Sequence, residues 1–329
     1  MTKRNEVIDI IRAICAIYII AIFHLNSYYM EEYIFTGNWV VVSKMLTIIS
    51  LGGFTFISGY CLSKYRFNEL RDVRSFYNRR LSRFYFLYFM AAISLFMMKF
   101  IIGKGWFFDN TQFFLTLVGF SSFYNPIPHT LWYFGMIMFF YLLTPLLNNS
   151  SSSKKQKINF FAFTLIVLGL YDVFFYVDET LYLYYPFYFI GLIRPDIIFK
   201  CNLKRSLAFS LLSIICLSVL YSFLKSYDFL LLFEYLIIPP GLFLLISISR
   251  LLAKNKSITT FFTFVSTASM VAYLFHRHLY GVVCVVCSGN SSGPITPFAG
   301  LVGTIVLFVI SYFIQVYYNK IINYITIKK

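Results

Sequence analysis

Ten apolar runs of roughly membrane-spanning length alternate with short polar connections, at 8–29, 38–63, 82–103, 131–149, 158–176, 181–199, 206–224, 229–250, 260–287 and 297–326. A bilayer core is crossed by about 20 mostly apolar residues in a helix rising 1.5 Å per residue, since in lipid the backbone amides must be satisfied internally. The pattern predicts an all-α integral membrane protein of about ten transmembrane helices. One connection is unusual. Residues 103–129 contain Gly105-Trp106-Phe107-Phe108 and a second apolar piece, 112–120, too short to span. That piece is expected to lie at the outer interface or to dip back into the protein. No soluble domain, low-complexity linker or convincing repeat interrupts the series, so 1–329 reads as a single membrane domain.

An even number of spans puts both termini on one side, and Lys and Arg decide which. Lys3 and Arg4 precede the first span, and Lys64, Arg66, Arg71, Arg74, Arg79, Arg80 and Arg83 follow the second. Lys154, Lys155 and Lys157 follow the fourth, Lys200, Lys204 and Arg205 the sixth, Lys254 and Lys256 the eighth, and Lys328 and Lys329 close the chain. The alternate connections carry Lys104 and Lys225 among the acidic Glu31, Glu32, Asp109, Asp178 and Glu179. This asymmetry places both termini in the cytoplasm.

Composition agrees with the pattern. Of 329 residues, 59% are hydrophobic, 21% aromatic and only 12% charged, too apolar for a water-soluble globule. The formal charge of +15 sits in short connections rather than on a soluble basic face. It therefore argues against nucleic acid and for an anionic bilayer surface or phosphate groups. The first apolar run lacks a small-residue cleavage site at its end, so it is expected to remain as the first helix. The six cysteines lie mostly in or beside apolar runs, where they pack as small hydrophobes. Cys284-Val-Val-Cys287 has redox or metal-ligand spacing, but with no second pair it is read as helix packing and no metal is expected.

Ionisable groups inside spans are the candidates for chemistry, because a charged side chain at the helix centre costs roughly 2.5–3.5 kcal/mol on insertion scales. Arg12 lies just inside the first span and His24 twelve residues further, about 18 Å along an ideal helix. His276, followed by Arg277 and His278, reaches a similar depth in the ninth span. A neutral imidazole at that depth can take a proton from a hydroxyl. The bland alternative is that Arg12 snorkels to headgroups and the histidines make interhelical hydrogen bonds. For His278 the bland reading is preferred. On the cytoplasmic side, Arg80 and Arg83 are three apart and share a helix face able to hold a phosphate. Ser58-Gly59-Tyr60 ends the second span, and Gly59 permits close approach of a ligand or of another helix. A positive-inside signal and ordinary packing are the plain readings of these two features.

Taken together, these segments resemble the bacterial acyltransferase-3 membrane family. The resemblance rests on Asp9 to Arg12 (DIIR) leading to His24, Phe56 to Tyr60 (FISGY), and Arg80 to Arg83 (RLSR). It continues with His129 to Phe134 (HTLWYF), Tyr141 and Pro145, and ends with Ala272 to His276 (AYLFH). The family implies transfer of an acyl group, usually acetyl, from cytoplasmic acyl-CoA to a hydroxyl of a cell-envelope or exported glycan, in a multi-pass protein of the bacterial inner membrane. It assigns the first-span Arg and the RxxR face to CoA phosphates, hence Arg12, Arg80 and Arg83 here, with Ser58, Gly59 and Tyr60 beside them. It assigns the first-span His, here His24, to the reacting hydroxyl. His276 or Glu234, the latter ahead of the Pro239-Pro240 pair in the eighth span, is expected near that hydroxyl or orienting the imidazole. Trp132, Tyr133 and Tyr141 are expected to line the glycan path or, equally, to form an interfacial belt.

One departure stands out. The family usually has ten residues between Arg and His, whereas 13–23 makes eleven. Twelve steps at 100° set the two side chains about 120° apart on an ideal helix, where eleven would set them about 20° apart. A π-bulge absorbs the extra residue, or the two groups line different walls, or His24 has lost its family role. Two further functions stay open. A glycan transporter or flippase would use the same polar cavity without chemistry, though it would not need a phosphate clamp. A scaffold of a polysaccharide assembly would not need intramembrane His24, His276 and Arg277.

Overall fold

Asn5 caps α1 (Glu6–Ala16), its side-chain oxygen accepting from the Val7 amide (3.1 Å). The structure, a computed structural model, describes residues 5–26, 39–101, 110–124, 130–197, 202–223, 228–289 and 295–327. A π-helical segment, Ile17–His24, continues α1, followed by α2 (Trp39–Leu62), α3 (Leu70–Ile101) and α4 (Asn110–Val118). A short 3₁₀ turn (Ser121–Phe123) leads to α5 (Leu131–Leu147), α6 (Lys154–Phe174) and α7 (Glu179–Ile193). The chain ends with α8 (Leu203–Phe223), α9 (Asp228–Leu252), α10 (Lys256–Ser288) and α11 (Pro297–Ile327).

Local chemistry sets several of these ends. Ser153 and Gln156 form a reciprocal capping box at α6. Asp178 accepts from the Thr180 amide (2.7 Å) at α7, and Asn255 accepts from Ser257 and Ile258 at α10. Gly289 closes α10 in the left-handed region.

Each expected span contains a helix. Among the described residues eight are long and apolar enough to cross a membrane; α5, with 17 residues, and α7, with 15, are shorter. Phe163, Leu170 and Phe174 on α6 and Phe209, Leu212 and Ile215 on α8 are exposed, as suits hydrocarbon rather than water. Helix α3 begins at Leu70, twelve residues before the expected span, so Arg71 to Arg83 lie on helix and not in a loop. The free cysteines include buried Cys284 and exposed Cys287.

The chain forms two compact units, residues 1–57 with 196–317 and residues 58–195 with 318–329. In the first unit α10 packs along α1 and the π segment, and α9 packs on α1 and α8. Pro239 and Pro240 lie inside α9 and withhold two helical N–H donors there.

In the second unit α4 runs back along α3. Phe113 meets Phe96 (4.6 Å), the Tyr88 hydroxyl donates to the Thr116 carbonyl, and Tyr85 donates to that of Leu117 (2.9 Å). Gln112 and Thr116 are fully buried. The short apolar piece therefore dips into the protein, as one of its two expected placements had it. Gly119 makes the reversal at φ +83°, a conformation open to glycine. Residues 105–108 and His129 lie outside the described residues.

Candidate functional site

Within the first unit, Asp9 and Arg12 are one turn apart on α1, with Arg12 Nη1 3.7 Å from Asp9 Oδ1. Ser266 of α10 joins them: its hydroxyl donates to Asp9 Oδ1 (2.9 Å) and accepts from Arg12 Nη1 (3.4 Å). Asp9 is buried while Arg12 keeps 31% of its side chain accessible. A buried carboxylate thus balances the guanidinium from below and leaves its outer part accessible.

The π segment answers the spacing problem. Eight residues, Ile17–His24, adopt the i→i+5 pattern, which absorbs the extra residue between Arg12 and His24. Hydrogen bonds to its neighbours hold it. Tyr280 donates to the Ile20 carbonyl (3.1 Å) and pairs with Thr304 (2.9 Å), while Tyr18 donates to the Ser43 carbonyl of α2 (2.7 Å). As a result Arg12 and His24 both face α10. Arg12 meets Ser266, and His24 stacks on His276 with ring centroids 4.5 Å apart and planes 9° from parallel. Twelve residues of the first helix are matched to ten of α10.

Both imidazoles are buried, His276 completely. Its Nδ1–H donates to the Tyr273 carbonyl (2.6 Å), and Nε2 has no hydrogen-bond partner among the described residues. The rings of Tyr273 and Tyr280 stand edge-on to His276 at 5.6 and 5.9 Å. The two imidazoles expected at one depth are therefore in direct contact.

Glu234 has a different neighbour. Its carboxylate pairs with Lys44 of α2 at 2.7 Å, with Glu234 10% and Lys44 42% exposed at the side chain. Lys44 is the residue that sequence reasoning passed over, although a lysine inside the expected second span was a sufficient signal. Ser266 and Tyr280 gave no such signal, since hydroxyls are ordinary in membrane helices.

Within the second unit, a Cβ on Gly59 would lie 2.1 Å from the Tyr188 carbonyl, so the close approach it permits is to α7. Arg80 and Arg83 engage different partners. The Arg80 guanidinium lies 5.3 Å from the Tyr65 ring centre and reaches its hydroxyl (3.5 Å), while Arg83 donates to Asn323 (2.9 Å). Arg80 also lines a cavity of about 310 Å³ with Tyr77, Tyr85, Met138, Phe139 and Tyr141. Of the three aromatic candidates, Tyr141 lines that cavity, Trp132 stacks on Tyr184 (6.4 Å), and Tyr133 is buried at 7% exposure. Ser58 and Tyr60 lie near the C-terminal end of α2 and are part-exposed.

Among the described residues, a guanidinium and a buried imidazole pair are arrayed along one helix pair of an all-α membrane protein, where polar side chains are costly. Residues 5–316 match the acyltransferase-3 family, described as an acyltransferase domain, and the chain belongs to that family. It is a multi-pass membrane acyltransferase. No curated protein and no solved structure matches the chain.

Proposed function

We propose that the protein transfers an acyl group, acetyl in the first instance, from cytoplasmic acyl-CoA to a hydroxyl of a cell-envelope or exported polysaccharide. The whole chain acts as one catalytic domain in the bacterial inner membrane, with both termini in the cytoplasm. The observation that carries this reading is the pairing of Arg12 with the His24–His276 stack along α1 and α10. Arg12 is a candidate for a CoA phosphate, and Arg80 and Arg83 are others, since guanidinium offers phosphate a planar fork of donors. The acceptor oxygen attacks the thioester carbonyl, an imidazole of the stack takes the hydroxyl proton, and the C–S bond breaks to release CoA thiolate, which is then protonated. No metal or further cofactor enters this chemistry. Ser58, Gly59 and Tyr60 belong to the donor side, and Trp132, Tyr133 and Tyr141 to the glycan side.

The test is the fate of radiolabelled acetyl-CoA with purified protein in liposomes. Wild type is expected to consume it, even slowly to water, and His24→Ala and Arg12→Ala to abolish consumption. Wild type that neither binds nor consumes any acyl-CoA while still moving a glycan lipid establishes transport instead.

A further inference from the structure

The two stacked imidazoles are not equivalent. A carbonyl oxygen cannot donate, so the 2.6 Å contact between His276 Nδ1 and the Tyr273 carbonyl fixes the proton on Nδ1. In the neutral ring the lone pair then lies on Nε2, which is buried and has no partner among the described residues. A bare acceptor in a buried site carries an uncompensated desolvation cost unless something donates to it. An acceptor hydroxyl supplies that donor.

We infer that His276, through Nε2, accepts the proton of the acceptor hydroxyl, and that His24 acts as its stacked partner. The inference rests on the acyl-transfer reading and assigns the base within it. As the acceptor O–H bond breaks toward Nε2, a C–O bond forms at the thioester carbonyl. The C–S bond then breaks, and the proton on Nε2 passes to the departing thiolate. Two features stabilise the transient imidazolium. Its Nδ1–H bond to the Tyr273 carbonyl becomes charge-assisted, and the face of the His24 ring, 4.5 Å away, is presented to the cation. The backbone carbonyl of Tyr273 thereby orients the ring, a task a carboxylate performs in many other sites. Glu234 is spoken for by Lys44 and is not needed for it.

The experiment uses full-length protein in liposomes with radiolabelled acetyl-CoA and two acceptors, water and hydroxylamine. Hydroxylamine attacks a thioester as the neutral amine and needs no base, whereas water does. His276→Gln is expected to lower acetate release by about 100-fold or more, the usual contribution of a general base, and to lose far less of the hydroxamate formed above that of empty liposomes. His24→Phe, which keeps a flat ring on His276, is expected to retain more acetate release than His276→Gln. Equal loss with both acceptors in His276→Gln, or unimpaired acetate release, overturns the assignment. Wild type inert toward acetyl-CoA with both acceptors overturns the acyl-transfer reading itself. Histidine ¹⁵N spectra of the wild-type protein, assigned through ¹³C-labelled tyrosine carbonyls, test the tautomer without any variant. They are expected to show His276 protonated on Nδ1 and bare on Nε2, and a proton on Nε2 in place of Nδ1 overturns the assignment.

Discussion

Lys44 of α2 and Glu234 of α9 form an ion pair at 2.7 Å between two helices separated by some 190 positions in the chain. Each charge alone is expensive in a membrane helix, and the pair removes that expense only while both members are present. Glu234 is therefore explained by Lys44 before any catalytic role is assigned to it.

Removing one partner should cost more than removing both. Lys44→Met strands a nearly buried carboxylate, and with Lys44 itself 42% exposed the loss is on the order of 2 kcal/mol, below the 3–5 kcal/mol of a fully buried pair. Combining it with Glu234→Leu should recover most of the loss. Thermal unfolding in detergent checks this, and a double variant less stable than Lys44→Met would show that the charges do not act as a pair.

The π segment gives a prediction about chain length. Deleting Ala21 sets Arg12 and the histidine eleven steps apart, about 20° on an ideal α-helix, so an ordinary helix can serve α10 at both contacts. Inserting one alanine after Ala21 makes thirteen steps, about 140° apart, and adds a second residue for the helix to absorb. The deletion should retain acetyl-CoA consumption and the insertion should lose it, both measured in liposomes. Loss in the deletion with retention in the insertion would mean that the π segment does not set this register.

Much of this was present in the one-dimensional pattern, and what was hidden had identifiable physical causes. Spans such as α2 and α10 are apolar over their length and needed no tertiary information. The surplus residue between Arg12 and His24 is countable, so a π-bulge is among the sequence's options, and the helix takes it up over Ile17–His24. The start of α3 was not evident, because Arg71 to Arg83 are too polar to register as a span yet arginine is a good helix former. The contacts of Arg83 with Asn323 and of Glu234 with Lys44 are long-range pairings that a single sequence does not encode visibly. Gly59 permits close approach of a ligand or of another helix, and its proximity to the Tyr188 carbonyl is a long-range contact that a single sequence does not display.

That carbonyl makes Gly59 a sensitive position. Gly59→Ala places a methyl 2.1 Å from backbone oxygen, which no rotamer change can relieve, so α2 and α7 must separate. A destabilisation of about 1–3 kcal/mol is expected, the range for overpacking a filled interior. Gly169 in α6 is the control, since a Cβ there meets nothing within 4 Å and alanine is the better helix former by about 0.5–1 kcal/mol. Thermal unfolding should move downward for Gly59→Ala and stay level or rise for Gly169→Ala. Similar behaviour of the two would remove close helix packing as the reason for Gly59.

Asn148 offers a way to disturb Arg80 from a distance. Its amide donates to the Tyr65 carbonyl (2.6 Å) and reaches those of Leu62 and Ser63 (3.4 and 3.5 Å), while its oxygen accepts from Lys157 (3.1 Å) and Arg66 (3.4 Å). The residue is buried and ties the connection between α2 and α3 to the end of α5. Tyr65 sits in that connection with its ring against Arg80. Asn148→Asp keeps the acceptor but sets carboxylate oxygen against three carbonyls, and Asn148→Ala removes the hub while leaving Lys157 and Arg66 without it. Both should loosen Tyr65 and with it the guanidinium. If Arg80 binds the donor, the KM for acetyl-CoA should rise several-fold, about 1 kcal/mol of binding, while kcat changes little, because uniform binding is lost and not transition-state stabilisation. A fall in kcat at constant KM would place Arg80 away from the ground-state donor site and direct the search for the phosphate contact to Arg12.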